Sequence, residues 1–172
     1  MAIFDAEGDV KEASYTRLAN TTQYTANDAM SDNTTGQVCL TFANCARRKG
    51  GSGFVLAATA ISSASQTTLP QLTLYIFDTS VTATADNAEF NLSDTDAVNL
   101  LGSFQFTGFE ALDETNGTNG NAKDEALPES GGPFAFRCGS TVQDLYGLVK
   151  VENAYTPISG EVVSFRLHLL QD

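Results

Sequence analysis

Residues 72–77 read Leu-Thr-Leu-Tyr-Ile-Phe. Successive side chains of an extended chain point to opposite faces, so Leu72, Leu74 and Ile76 share one side and Thr73, Tyr75 and Phe77 the other. Both sides carry large apolar groups. That pattern predicts a central strand covered on both faces, and Pro70 stands just before it, where a missing N–H does least harm.

Strand patterns continue outward in both directions. In residues 37–43, Val38, Leu40 and Phe42 alternate with Gln37, Cys39 and Thr41, which predicts a half-buried strand. Residues 54–61 are apolar on both faces but mostly small. Between these two lies 44–53, with Arg47, Arg48 and Lys49 followed by Gly-Gly-Ser-Gly, which predicts a hairpin with a basic, glycine-rich tip. Further along, Phe104 and Phe106 alternate with Ser103, Gln105 and Thr107, and Phe134, Phe136 and Cys138 mark another strand. Residues 145–151 and 162–170 complete the set. In the last, Val163, Phe165, Leu167 and Leu169 face in while Ser164, Arg166 and His168 face out.

Helical signals are short. Asp86 starts one plausible turn over 86–90, and Ser93-Asp-Thr-Asp96 resembles a capping box ahead of Ala97, Val98, Leu100 and Leu101. An α/β sheet would need recurring helices of about 10–15 residues, and none is visible. Seven or eight short strands with turn punctuation predict a mostly β protein: an antiparallel β-sandwich or jelly-roll-like single domain with short helical turns. Residues 1–20 show little periodicity and read as an N-terminal arm on a domain spanning 21–172. Residues 108–132 carry Asn-Gly-Thr-Asn-Gly-Asn and several acids and read as a long acidic loop.

With 172 residues, one domain buries enough surface to fold without disulfides or metal. The formal net charge is −12, from 21 acidic and 9 basic side chains. A field of that sign repels phosphate backbones and anionic membranes, so neither nucleic acid nor membrane is an expected partner. No apolar stretch approaches the roughly 18 residues of a spanning helix. The first residues lack a basic region followed by an apolar run, so no secretory signal is read and synthesis in the cytoplasm is expected. On that route the glycosylation sequons at Asn20, Asn33, Asn91 and Asn116 carry no meaning. Cys39, Cys45 and Cys138 are odd in number and lack ligand spacing, and read as reduced, part-buried hydrophobes.

Catalytic machinery is not readable. The chain has one histidine, His168, on the polar side of a strand. Asp78, Asp86, Asp94 and Asp96 are the carboxylates to test as a glycosidase pair or calcium ligands, but Asp94 and Asp96 fit the first turn of a helix, where the dipole favours acids. There is no Trp to form a sugar platform, and no phosphate-loop motif. No cofactor and no metal site is therefore expected. The basic tip Arg47-Arg48-Lys49 holds a third of all positive charge, and is either a solvated turn or a contact for an acidic surface. Acidic counterparts within the chain are Asp113/Glu114 and Asp124/Glu125.

Several phrases resemble those of tailed-phage structural proteins. Residues 24–30 (Tyr-Thr-Ala-Asn-Asp-Ala-Met) resemble their Y-x-A-x-D phrase. Residues 40–54, Leu-Thr-Phe-Ala-Asn-Cys-Ala-Arg-Arg-Lys-Gly-Gly-Ser-Gly-Phe, resemble their A-R-x-x-G-G-S-G-[FY] hairpin. Residues 72–78 and 85–90 resemble their L-x-L-[YF]-[LI]-F strand and A-D-N-A-x-F turn. Residues 145–148 and 154–160 resemble their L-Y-G-L and [FY]-T-P-x-S-G endings. The resemblance runs in order over about residues 21–170, and is to the head decoration, or cement, protein family. It implies a non-enzymatic virion protein on the outer capsid surface, a β-sandwich homotrimer whose partner is the major capsid protein. The alternative reading is a carbohydrate- or receptor-binding domain of a phage head or tail fibre, using Tyr15, Tyr24, Tyr75, Tyr146 or Tyr155.

Overall fold

A computed structural model describes residues 7–32, 38–64, 66–112, 121–129 and 132–172. The protein is an antiparallel sandwich of two sheets. In chain order its strands are β1 (Glu7–Thr16), β2 (Ala29–Met30), β3 (Leu40–Phe42), β4 (Ser52–Ser62), β5 (Leu72–Phe77), β6 (Leu100–Phe106), β7 (Glu110–Ala111), β8 (Ala122–Ala126), β9 (Phe134–Arg137), β10 (Leu145–Val151) and β11 (Val162–Gln171). A four-residue helix, α1 (Asp94–Ala97), precedes β6. The larger sheet runs β1-β11-β4-β8-β7, with β9 also on β4. The smaller runs β2-β10-β5-β6, with β3 on β10.

Burial follows the period-2 pattern. Val163, Phe165, Leu167 and Leu169 of β11 are buried against Leu72, Leu74 and Ile76 of β5 and Phe104 and Phe106 of β6. β4 brings Val55, Ala58 and Ala60 to the same core, and small side chains at its middle let the sheets approach. β5 is central in its sheet, as its sequence requires. Its second apolar face is covered by the segment that follows: Phe77 packs with Val81, Ala83 and Leu148, and Tyr75 stacks on Phe90 at 5.3 Å.

The structure redraws three sequence readings. β3 and β4 do not form a hairpin: β3 pairs with β10 in one sheet and β4 with β11 in the other, so 44–51 crosses between layers. Alternation identifies strands but not their partners, which side-chain burial decides. Residues 86–90 are not helical; Asn87 sits at φ 60° and Asp86 turns inward. Ser93 does cap α1, its Oγ accepting from Asp96 N at 3.1 Å. Finally, of the stretch read as an arm, Glu7–Thr16 pairs along its length with β11, and the stretch read as a long acidic loop contains β7 and β8.

Candidate functional site

The crossover 44–51 is a fixed loop. Ala46 N donates to Gln143 O at 3.0 Å and Gly50 N to Val142 O at 2.9 Å, and Gln143 Nε2 returns to Ala46 O at 3.0 Å. Cys45 is fully buried beneath it. Gly50 takes φ 66°, a left-handed value glycine adopts without a Cβ penalty. The loop presents Arg47, Arg48 and Lys49 to solvent. β9 adds exposed Arg137, whose Nε donates to Gly50 O at 3.4 Å. Sequence reasoning missed Arg137 because Gly50, the loop residue it bonds, is 87 residues away; the signal present was only an outward position beside Phe136.

The other five cations are spoken for. Lys11 pairs with Asp9, Arg17 with Asp86, Lys123 with Glu125, Lys150 with Glu152 and Arg166 with Glu12. Among the described residues, Arg48, Lys49 and Arg137 make no ion pair. Two acids flank the loop in its hydrogen bonding: Asp144 accepts from Asn44 N at 2.9 Å and Asp172 from Ser52 Oγ at 3.1 Å. One end of an acidic sandwich therefore concentrates uncompensated positive charge on a rigid support.

The acidic candidates lie elsewhere. Asp124 and Glu125 sit on β8, which pairs with residues 58–62 of β4, whereas the basic loop adjoins residue 52. The structure does not bring the two groups together within one chain. Asp124 Oδ2 accepts from Gly108 N at 2.8 Å, and the Glu125 carboxylate is held below its ordinary pKa by its hydrogen bond and charge pairing with Lys123. Asp113 and Glu114 lie outside the described residues.

The possible chemistry of the remaining groups is limited by geometry. His168 Nε2 lies 3.0 Å from Thr59 Oγ1 on the outer sheet face, and Glu125 stands opposite Thr59 in the β4–β8 register. A triad places the base between nucleophile and acid; among the described residues no carboxylate is hydrogen-bonded to His168. Burial pushes the Cys45 thiol up to about 12 and the Cys138 thiol up to about 11, so neither is a thiolate nucleophile. Asp94 and Asp96 lie in the first turn of α1. Among the described residues no group of three or more His, Cys, Asp or Glu could hold a metal ion.

Asp86 has a role the sequence did not reveal. It is buried and receives Arg17 Nη1 at 2.8 Å, the Tyr24 hydroxyl at 2.6 Å and Ser31 N at 3.1 Å. The Arg17 guanidinium lies 4.3 Å from the Tyr24 ring centroid, and Tyr24 stacks on Tyr155 at 5.2 Å. Tyr15, Tyr24 and Tyr155 are thus core residues rather than sugar platforms, and Tyr75 is half-covered by Phe90. Beside this cluster Glu161 is buried; desolvation raises its pKa, while Ser62 Oγ donates to it at 2.6 Å.

Taken with its surface, the fold defines an acidic two-sheet β-sandwich with one basic end. No family model matches the chain, and no curated protein matches its sequence. Among solved structures it is similar to a chain of the cyanophage Pam1 capsid asymmetric unit, at 14% identity over 100% of this chain and 90% of that one, with a TM-score of 0.36. It is also similar to SACOL2612, a CocE/NonD family hydrolase from Staphylococcus aureus, at 8% identity over 98% of this chain and 37% of that one, with a TM-score of 0.35. The catalytic domain of a GH87 α-1,3-glucanase follows at 12% identity, 87% and 29% coverage and a TM-score of 0.24. At such scores these likenesses carry no functional argument.

Proposed function

We propose that this chain is a structural virion protein, a capsid decoration or cement protein that binds the outer head surface and stabilises contacts between capsomers. The observation that carries the reading is the basic end: Arg48, Lys49 and Arg137, without ion pairs among the described residues, on a chain of net charge −12. Such a patch would be attracted to an acidic surface that repels the rest of the chain, and would set orientation and association rate against it. The ordered phrases over residues 21–170 support the same reading. In this proposal the acceptor is the major capsid protein, and the decoration unit is a homotrimer.

The test is quantitative. Purified virions should contain the protein at a copy number commensurate with capsomers, and capsids stripped of it should rebind it. Charge reversal at Arg48, Lys49 and Arg137 should slow rebinding strongly at low salt and less at high salt, since screening already weakens the wild-type contact. Absence from particles, or rebinding by the reversed variant at the wild-type rate, would refute the proposal. A strict monomer in light scattering would remove the trimer.

A further inference from the structure

The basic loop and the ends of β4 and β10 give the sandwich a polarity. β4 runs from Ser52 at the basic end to Ser62, and its 11 residues span about 33 Å. At the far end, loops 21–23, 66–68 and 154–159 enclose a cleft of about 540 Å³, within the roughly 300–1,000 Å³ range of small-molecule sites. The loops are tied to one another, Tyr24 N donating to Tyr155 O at 3.0 Å and Asn153 Nδ2 to Leu69 O at 3.1 Å, and the last is closed on itself by Glu161 N donating to Ile158 O at 3.1 Å. A cleft on such supports is preorganised.

We propose that this cleft binds a neutral polyhydroxylated ligand, a single sugar residue of a glycan being the class that fits. No lining residue is charged. The rim carries the hydroxyls of Thr68, Thr156 and Ser159, with Ile158 as an exposed apolar surface for the C–H face of a ring. The second observation is Gln66, a lining residue only 9% exposed, whose Nε2 and Oε1 both lack a hydrogen-bond partner among the described residues. The Gln66 amide is close enough to Glu161 to favour its charged form, yet no bond of proper geometry joins Gln66 Nε2 to Glu161 Oε2. Buried polar atoms are costly when unpaired, and a ligand hydroxyl both donates and accepts. Both Gln66 polar atoms are buried, so engagement requires Gln66 to turn towards the ligand. An anion finds no cation here, and a wholly apolar ligand would strand the hydroxyls. With no aromatic ring at the rim, affinity should be about millimolar.

The experiment is a chemical-shift titration of the isotope-labelled full chain with D-glucose, D-galactose, N-acetyl-D-glucosamine and L-rhamnose, with D-glucuronate as the charged control. At least one neutral sugar should give saturable shifts confined to 21–23, 66–68 and 154–159, and glucuronate should bind more weakly than glucose. Thr68→Trp, at an exposed position, should fill the cleft and weaken binding at least about tenfold, and Gln66→Leu should weaken it by about tenfold. If Gln66→Leu does not fold, Thr68→Trp decides. No saturable shift with any of the sugars, shifts centred elsewhere, or undiminished binding by Thr68→Trp would each overturn the proposal. The outcome is independent of whether the protein is found in particles.

Discussion

Replacing Asp86 by Ala should be among the most damaging single changes in this protein. Both side chains of the Arg17–Asp86 pair are almost fully buried, at 1% and 2% exposure. Removing the carboxylate strands three donors at once: Arg17 Nη1, the Tyr24 hydroxyl and Ser31 N. Arg17 Nη2 still donates to Asn20 Oδ1 at 3.0 Å and Thr22 O at 3.3 Å, but both acceptors are neutral and Nε has no partner among the described residues, so the buried charge loses its counter-ion. Breaking a buried pair from one side costs about 3–5 kcal/mol, because an uncompensated charge remains. Against a total of roughly 5–15 kcal/mol, that is a large share of the stability. For a domain of this size each kcal/mol shifts Tm by about 2–4 °C, so a fall of about 6–20 °C is expected. Urea unfolding at constant m-value measures the loss. The double variant Arg17→Met/Asp86→Leu removes both charges and should lose less than the sum of the single changes, leaving a coupling of about 0.5–3 kcal/mol. A loss below about 1 kcal/mol for Asp86→Ala, or additive single changes, would refute the argument that this pair holds the β1–β2 connection to the core.

Glu161 offers a pH test. Its pKa is raised in the fold by desolvation, so the protonated form is favoured, and the stability it contributes is complete below its unfolded value of 4.5 and lost as pH rises through the raised value. Glu161→Gln should therefore match the wild type at low pH and exceed it at pH 7, and a stability difference that does not change with pH would contradict this. Gly53→Ala should cost about 1–3 kcal/mol, since its Cβ would collide with Leu170 O and meet the Phe136 ring at 2.8 and 2.9 Å, whereas Gly8→Ala meets nothing and should be close to neutral in thermal unfolding.

The sequence by itself determined the layers. Period-2 alternation in 72–77, 103–107 and 162–170 named the buried faces correctly, because a strand's side-chain period is fixed by backbone geometry alone. The capping of α1 by Ser93 was equally legible, since its hydrogen bond closes within three residues. The small-residue run in 54–61 marked β4 but not its partners. Pairing was decided by tertiary structure: β3 went to β10 and not to β4, because Leu40 and Phe42 find their burial in the smaller sheet. β1 escaped the pattern because polar Asp9 and Lys11 occupy its inner face, where they pair with each other and Asp9 accepts from Gln171. The same limit applies to the site. Arg47, Arg48 and Lys49 were adjacent in sequence and visible as a basic tip, but Arg137 joined them only through β9 on β4. Asp86 read as a capping residue, and 69 residues separate it from Arg17. Charge density is a local property of sequence. Which charges remain unpaired is a property of distances between remote residues, and only the folded chain sets those.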